Sequence, residues 1–443
     1  MGCTMGSNIK KWMLAALFGL FLPLLAACQG GFSEQKSEGS PEQDAITIWA
    51  WDKGFNIAAA ETAREFYLKN HPKARINIVT IAQDDIVAKL NTRFASGVYD
   101  DLPDIVLIED YRIQSYLHTY PEEFADLSDI ANADDFADYK TQMSQQDGRL
   151  YGIPFDCGVA GLFYRTDYLE QAGYRREDMD NLSWDQFIEI GKTVKEKTGK
   201  YMLTLNPGDL GQLRMMLQSA GSWYTDEAGD LDILENDVLK EAILTYKQIV
   251  DSGIAMYIAD WGQFVGAFNN GNVATVPTGC WIVPSIENAA DQHGKWAVAR
   301  IPRLAGIESS VNASSLGGGG WYVLKNTGHE KEAKEFLKET FASDVELMNR
   351  LAGEIKLVGT LKMETRAENY SKGLSFFGGQ NILGDFVKWA GEVPTVNYGE
   401  DTYEIEDMMT DALQKIIDGI DMDIVLESTF ATAETAGREI KGQ

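Results

Sequence analysis

From residue 45 onwards, short strand patterns alternate with helical patterns. The first five predicted elements are the strand 45–49, the helix 58–69, the strand 75–81, the helix 84–96 and the strand 104–108. Residues 105–108 are a continuous apolar run, which is typical of a strand buried on both faces. Because each pair of successive strands is joined by a helix, this order predicts a parallel sheet with right-handed crossovers.

A similar series of elements follows. Residues 183–186 (Ser-Trp-Asp-Gln) have the capping-box pattern that begins a helix, and Gly199 ends that helix. Residues 151–164 predict an extended segment that crosses between lobes. The other predicted elements are the strands 201–205, 272–277, 296–301 and 320–324 and the helices 237–250, 330–340, 344–351 and 405–417. The whole pattern predicts two α/β lobes with more than one crossing between them.

The first 27 residues have the pattern of an export signal. Lys10 and Lys11 precede an uncharged apolar run over 12–27 that is shorter than the roughly 20 residues of a membrane span. The run ends in Leu-Ala-Ala followed by Cys28, which resembles the lipobox of bacterial lipoproteins. The resemblance implies cleavage before Cys28 and a diacylglyceryl group on its sulfur. The alternative is an ordinary signal peptide that happens to be followed by a cysteine.

Residues 28–44 are expected to be a flexible tether. The segment is rich in Gly, Ser, Glu and Gln, so it lacks the apolar residues needed for a core. With a lipid on Cys28 it would hold a globular body near a membrane. Without one it would be a disordered N-terminus.

Charge excludes one large class of function. The 443 residues contain 39 Lys+Arg against 67 Asp+Glu, a formal charge of −28. Removal of the signal takes away two lysines and gives −30. A nucleic-acid partner is not expected, because binding would require cationic side chains against the phosphates. Direct attraction to anionic lipids is disfavoured for the same reason, so a lipid anchor is the only membrane contact expected.

Motifs for metal binding and catalysis are missing from the sequence. After export only Cys157 and Cys280 remain besides Cys28, and no Cys or His spacing suits zinc. The glycine run 317–320 is followed by Trp-Tyr and not by Lys-Ser/Thr, so it is not a P-loop, and close approach of the backbone to another segment or a ligand is the better interpretation. No cofactor or metal is expected. Carboxylate pairs would arise by chance among so many acidic residues, so a glycosidase stays open as an alternative.

Aromatic and polar side chains recur just after predicted strands. In open α/β sheets ligands bind beyond the carboxyl ends of the strands, so these positions are candidate ligand contacts. They are Trp51, Asp52, Asp110, Asn206 and Trp281, together with Asp156 in the predicted crossing segment. Glu109, next to Asp110, also follows a predicted strand. At any one of these positions a structural role is the alternative to a ligand contact, since Asp often caps a helix and Trp is often a core residue.

This combination of residue types fits a sugar. The C–H face of a sugar ring lies well on an aromatic plane, and carboxylates and amides bond its hydroxyls. Ring faces and carboxylates could equally surround a cation, so a polyamine or quaternary amine also remains possible.

The chain resembles the extracellular solute-binding proteins of carbohydrate ABC importers, in the maltose-binding-protein-like superfamily. The matching segments are 46–49, 102–106, 151–154 with Tyr164, 183–187, 226–229 and 279–281. The resemblance implies an α/β periplasmic-binding-protein fold of two lobes, with several crossings and a ligand cleft between the lobes. Residues 45–154 plus about 296–358 would form the N-terminal lobe, and 155–295 plus about 359–443 the C-terminal lobe.

By the same resemblance, Asp156 and Trp281 match positions that commonly contact ligand. Trp51, Asp52 and Asp110 match ligand-facing loops, and Asn206, Trp223 and Phe377 are placed near the ligand as well. Residues 49–52 and 55–57 look most similar to lactose- and arabinose-type binding proteins.

The function implied by the resemblance is capture of a sugar or oligosaccharide and its delivery to ABC permease subunits. The protein would be a lipid-anchored, extracytoplasmic monomer of the bacterial cell envelope and would not be an enzyme. The alternatives are a secreted carbohydrate-active enzyme and a binding protein for a cationic solute such as a polyamine.

Overall fold

The computed structural model describes residues 45–362 and 367–441. The strands are β1 (Ile46–Ala50), β2 (Ile76–Thr80), β3 (Ile105–Glu109), β4 (Gln145–Gln146), β5 (Arg149–Leu150), β6 (Gly152–Pro154), β7 (Ala160–Arg165), β8 (Leu203–Leu205), β9 (Ala255–Tyr257), β10 (Thr275–Gly279), β11 (Trp296–Arg300) and β12 (Gly319–Val323). The predicted signal, tether and lipidated Cys28 lie outside the described residues.

Fifteen α-helices connect and follow these strands in the described residues. They are α1 (Asn56–Asn70), α2 (Gln83–Ser96), α3 (Asp110–Thr119), α4 (Asp138–Thr141), α5 (Thr166–Ala172), α6 (Trp184–Thr198), α7 (Gly211–Ser219), α8 (Asp237–Asp251), α9 (Trp261–Asn269), α10 (Val283–Glu287), α11 (Glu330–Glu339), α12 (Val345–Glu354), α13 (Ile382–Ala390), α14 (Thr402–Ile417) and α15 (Met422–Lys441). No helix among the described residues is both long and apolar enough to cross a membrane.

The larger sheet has the strand order β2-β1-β3-β12-β6. The pairs β1–β2 and β1–β3 are parallel, so the predicted β-α-β-α-β unit is confirmed. Alternate residues of β1 enter different cores: Ile48 faces the core that contains α1, α11 and α12, whereas Trp49 faces the core that contains α2 and α3. The centre of this sheet is therefore covered on both faces.

The smaller sheet has the strand order β10-β7-β11, and both pairs are antiparallel. Its β11 pairs with β7 in the register Trp296↔Arg165, so this strand does not belong with the larger sheet. The predicted lobe boundary at about residue 296 is therefore wrong: the chain returns to the larger sheet only after residue 300. The sequence indicated a buried strand here but contained no information about its pairing partner.

The predicted crossing segment 151–164 consists of two strands in different sheets. β6 belongs to the larger sheet and β7 to the smaller one, and residues 155–159 pass between them. Isolated bridges join Asp156 to Gly359 and Val159 to Ser315. Three passages of the chain between the sheets therefore lie side by side.

Several helices were not predicted from the sequence: the short α3, α5, α7, α9 and α13, and the 20-residue α15. In α7 the residues Leu213, Met215, Met216 and Leu217 are all buried. A helix enclosed on most of its circumference has no polar stripe, so the periodicity that identifies surface helices is missing.

Candidate ligand-binding site

A cavity of about 520 Å³ is lined by segments that follow strands of both sheets. This volume lies within the roughly 300–1,000 Å³ range of small-molecule sites. The lining residues are Trp51, Asp52, Phe55, Asn56, Ala82, Gln83, Leu107, Glu109, Phe155, Asp156, Trp261, Trp281 and the glycines 317–319. Aromatic rings, carboxylates and amides are thus gathered in one place.

The loop after β1 is held in place by two of its own side chains. Oδ1 of Asn56 accepts hydrogen bonds from the backbone N–H groups of Trp51, at 3.1 Å, and Asp52, at 2.9 Å. Oδ1 of Asp52 accepts from the N–H groups of Gly54, at 2.7 Å, and Phe55, at 3.0 Å. The turn before α1 is therefore fixed locally, which positions the Trp51 ring and the Asp52 carboxylate at the cavity.

Trp281 lies directly after β10, and its orientation is fixed by the protein. The indole N–H donates to the carbonyl of Leu316 at 2.8 Å. Gly279 makes room for the ring, because a Cβ at that residue would lie 2.2 Å from the indole Nε1. With the N–H group already bonded, the ring face is the part of Trp281 that remains for a ligand.

Trp261 stands beside Trp281 at the first residue of α9. The two ring centroids are 5.8 Å apart and the planes are inclined by 36°. Trp261 is 50% exposed, although it is one of the largest apolar side chains in the protein. An uncovered indole at the mouth of a cavity is a suitable platform for an apolar ligand face.

The glycine run enters β12 beside a buried ion pair. Gly317 and Gly318 have φ values of +75° and +100°. A Cβ on Gly318 would lie 2.6 Å from Nζ of Lys140 and 2.8 Å from Oδ2 of Asp110. The interpretation that this run permits close approach of the backbone is therefore confirmed.

The charges beneath the cavity are buried and compensated. Lys140 donates to Asp110, and both side chains are almost completely buried. Burial raises the pKa of Asp110, and the Lys140 ammonium opposes this shift.

The carboxyl group of Asp156 lies at the cavity and is held by the backbone at the start of β12. Its Oδ1 accepts from the N–H of Gly319 at 2.9 Å. Burial raises the pKa of Asp156 to about 6, and the ammonium of Lys140 counteracts part of this rise. The carboxyl group of Asp156 therefore changes its charge in mildly acidic solution.

The structure separates the predicted contact residues into two groups. Trp51, Asp52, Asp156 and Trp281 line the cavity. Asp110 does not line it, because its side chain points into the buried pair with Lys140.

The other three predicted contacts do not line this cavity. Trp223 is buried, stacks on Tyr111 at a centroid distance of 5.5 Å, and so belongs to the core. Phe377 is fully buried beside Phe163. Asn206 forms a local turn in which its Oδ1 accepts from the N–H of Gly208 at 3.1 Å. Asn206 was selected because it follows a strand, and Trp223 and Phe377 because of the family resemblance. Neither criterion determines the direction in which a side chain points.

Sequence reasoning did not identify Trp261, and it noted Glu109 at the end of a strand but selected its neighbour Asp110 as the ligand contact. Glu109 immediately precedes the selected Asp110, and β3 extends one residue further than predicted. For Trp261 a signal existed: Asp260 is an N-cap whose Oδ1 accepts from the N–H of Gln263 at 2.8 Å, so a tryptophan at the first turn of a helix could have been predicted.

Comparison with known proteins identifies the family. The model of the family described as bacterial extracellular solute-binding protein matches residues 62–371. The chain belongs to this family. The predicted resemblance is thus confirmed, and the description of the family as extracellular agrees with the expected extracytoplasmic location.

The proteins with similar sequences include solute-binding proteins that are named for the sugars they bind. A lactose-binding protein of Rhizobium radiobacter is 44% identical over 383 residues, covering 86% of this chain and 90% of that protein. An arabinooligosaccharide-binding protein of Bacillus subtilis (strain 168) is 27% identical over 333 residues, covering 73% and 75%.

A solved structure shows the same fold. The ABC transporter associated binding protein from B. animalis subsp. lactis Bl-04, in complex with beta-1,6-galactobiose, superposes with a TM-score of 0.73 at 20% identity, covering 89% of this chain and 98% of that chain. The predicted two-lobe periplasmic-binding-protein fold is confirmed.

Proposed function

We propose that this protein is the substrate-binding component of an ABC importer and that it captures a neutral disaccharide or short oligosaccharide. The observation on which the proposal depends is the cavity that combines the inclined rings of Trp261 and Trp281 with the carboxylates of Asp52, Glu109 and Asp156. Such a site binds the C–H face and the hydroxyl rim of a sugar at the same time. The names of the lactose-binding and arabinooligosaccharide-binding relatives support the same class of ligand.

A cationic solute fits this cavity less well. The Lys140 ammonium already contacts Asp110 and opposes the rise that burial causes in the pKa of Asp156, so positive charge lies beneath the site. The Arg112 Nε atom lies 3.9 Å from Oε2 of Glu109. Lys140 and Arg112 therefore offset part of the negative charge of the cavity carboxylates and reduce the attraction for a cationic solute, whereas binding of a neutral hydroxyl is not affected in this way.

Closure of the two lobes on the sugar is the proposed mechanism. Trp51 and Asp52 follow β1 and Glu109 ends β3, both in the larger sheet, whereas Trp281 follows β10 of the smaller one. Asp156 lies on one of the three passages between the sheets. A sugar that touches both groups only in the closed form shifts the population towards that form.

The proposal also includes anchoring of the protein to a membrane and delivery of the sugar to the permease. A lipid on Cys28 and the tether 28–44 would keep the monomeric protein beside the permease subunits that accept the sugar. The larger sheet would belong to a lobe of residues 45–154 and about 301–358, and the smaller sheet to a lobe of 155–300 and about 359–443. No covalent chemistry is assigned to the cavity, so the sugar should leave it unchanged.

A thermal-shift screen tests this function. We expect stabilisation by one or a few disaccharides or oligosaccharides, and a ligand at 100 times its Kd should add about 2.7 kcal/mol. Polyamines at the same concentration are the comparison set. Stabilisation by a polyamine without any by a sugar would contradict the proposal, and so would hydrolysis of the bound sugar by the purified protein.

A further inference from the structure

We infer that Tyr403 is a positioning residue of the sugar site, which acts by holding the carboxylate of Glu109. This inference rests on the function proposed above. It assigns a role in sugar binding to α14, in the last tenth of the chain, where the sequence indicated only helices.

Within residues 45–362 and 367–441, the contacts of the Glu109 carboxylate are made to one of its oxygens. Oε2 accepts a hydrogen bond from the Tyr403 hydroxyl and lies 3.9 Å from Nε of Arg112. The Arg112 guanidinium in turn lies 3.7 Å from the centre of the Tyr403 ring. With Oε2 held in this way, we assign Oε1 to a hydroxyl of the bound sugar.

Tyr403 approaches this carboxylate from the helices on the side of the smaller sheet. Its neighbour Thr402 accepts from the indole N–H of Trp223 at 3.0 Å. Glu406, one turn further along α14, accepts a hydrogen bond from the guanidinium of Arg214 on α7. Helix α7 in turn packs against β10. The bond from Tyr403 to Glu109 therefore links these helices to the end of β3 in the larger sheet.

The Tyr403 hydroxyl contributes to binding because its hydrogen bond to the Glu109 carboxylate fixes the rotamer of Glu109. Without it, the side chain of Glu109 regains freedom that must be lost again when a sugar binds. Removing one hydrogen bond to a charged group should raise the Kd by about tenfold, the equivalent of about 1.4 kcal/mol.

The experiment is calorimetric titration of Tyr403→Phe with lactose, or with the sugar that stabilises the wild type most if lactose does not. The matched control is Tyr224→Phe. The Tyr224 hydroxyl also donates to a carboxylate of α14, at 3.2 Å from Oε1 of Glu406, but Glu406 does not line the cavity. We expect the Kd to rise about tenfold for Tyr403→Phe and less than twofold for Tyr224→Phe.

A double-mutant cycle separates positioning from general structural damage. If Tyr403 acts through Glu109, adding Tyr403→Phe to Glu109→Ala should not raise the Kd further. An unchanged Kd in the single Tyr403→Phe variant would overturn the inference, as would an equal loss in the Glu109→Ala background. Failure of the wild type to bind any sugar would instead refute the proposed function, and this inference with it.

Discussion

Replacement of Trp281 by alanine distinguishes a sugar platform from a core residue. Trp281 lines the cavity, and its indole N–H donates to the carbonyl of Leu316 at 2.8 Å. If a sugar ring lies on the indole, its loss should weaken binding by about 2–4 kcal/mol, the range of interface hot spots. This corresponds to an increase in Kd of roughly 30- to 1,000-fold.

The stability of the same variant should fall much less than that of a core variant. Truncation of a buried Trp costs about 3–5 kcal/mol. Trp281 is only partly buried and borders the cavity, so the main structural loss is one neutral hydrogen bond of about 1 kcal/mol and part of its packing. Trp296, which is fully buried in β11, is the core comparison.

Calorimetric titration and denaturant unfolding, both run on Trp281→Ala, Trp281→Phe and Trp296→Ala, measure the two effects. Trp281→Phe should recover part of the affinity because an aromatic plane remains while the N–H group is lost. If Trp281→Ala unfolds as easily as Trp296→Ala but binds sugar with unchanged affinity, Trp281 is a core residue and the platform argument is refuted.

Three further predictions concern other parts of the protein. Because burial raises the pKa of Asp156 to about 6, its ionisation opposes folding as pH rises from about 4 through 6. Asp156→Asn should therefore raise the free energy of unfolding at pH 7.5 by about 1–3 kcal/mol, but not near pH 4, while weakening sugar binding; an equal gain at both pH values would contradict this. Gly318→Ala should destabilise the protein by more than about 2 kcal/mol in denaturant unfolding, because its Cβ would meet Lys140. Gly97→Ala is the control, since it also has positive φ but nothing within 4 Å, and equal losses would refute the steric argument. Cys28→Ala should release the protein from membranes in cell fractionation and abolish labelling by a fatty-acid probe; a variant still retained on membranes would contradict the anchor.

Much of the larger sheet was predictable because its signals are local. Residues 105–108 are uniformly apolar, and the helices on either side of β2 have clear periodicity and end signals. Prediction failed where the signal is not local. The apolar pattern of β11 shows that it is buried but not that it pairs with β7.

Half of the predicted contacts line the cavity. Among those that do not, Asp110 is directed by a partner far away in the sequence, as β11 is in its pairing. Trp51, Asp52 and Trp281 follow strands whose ends meet at the cavity, so topology alone brings them together. Asp110 also follows a strand, yet its side chain enters the core to meet Lys140. Lys140 is 30 residues further along the chain, and nothing near Asp110 in the sequence indicates that partner.

The sequence by itself determined the class of the protein: an acidic chain of alternating strands and helices, with aromatic and carboxylate residues at the ends of strands. These properties depend on composition and on spacing along the chain, which folding does not alter. Only the tertiary structure decided which of these side chains face one cavity. It added Trp261, showed that Glu109 lines the cavity in place of its neighbour Asp110, and placed Trp223 and Phe377 in the core. The physical reason is that the direction of a side chain depends on strand pairing and on packing partners far away in sequence.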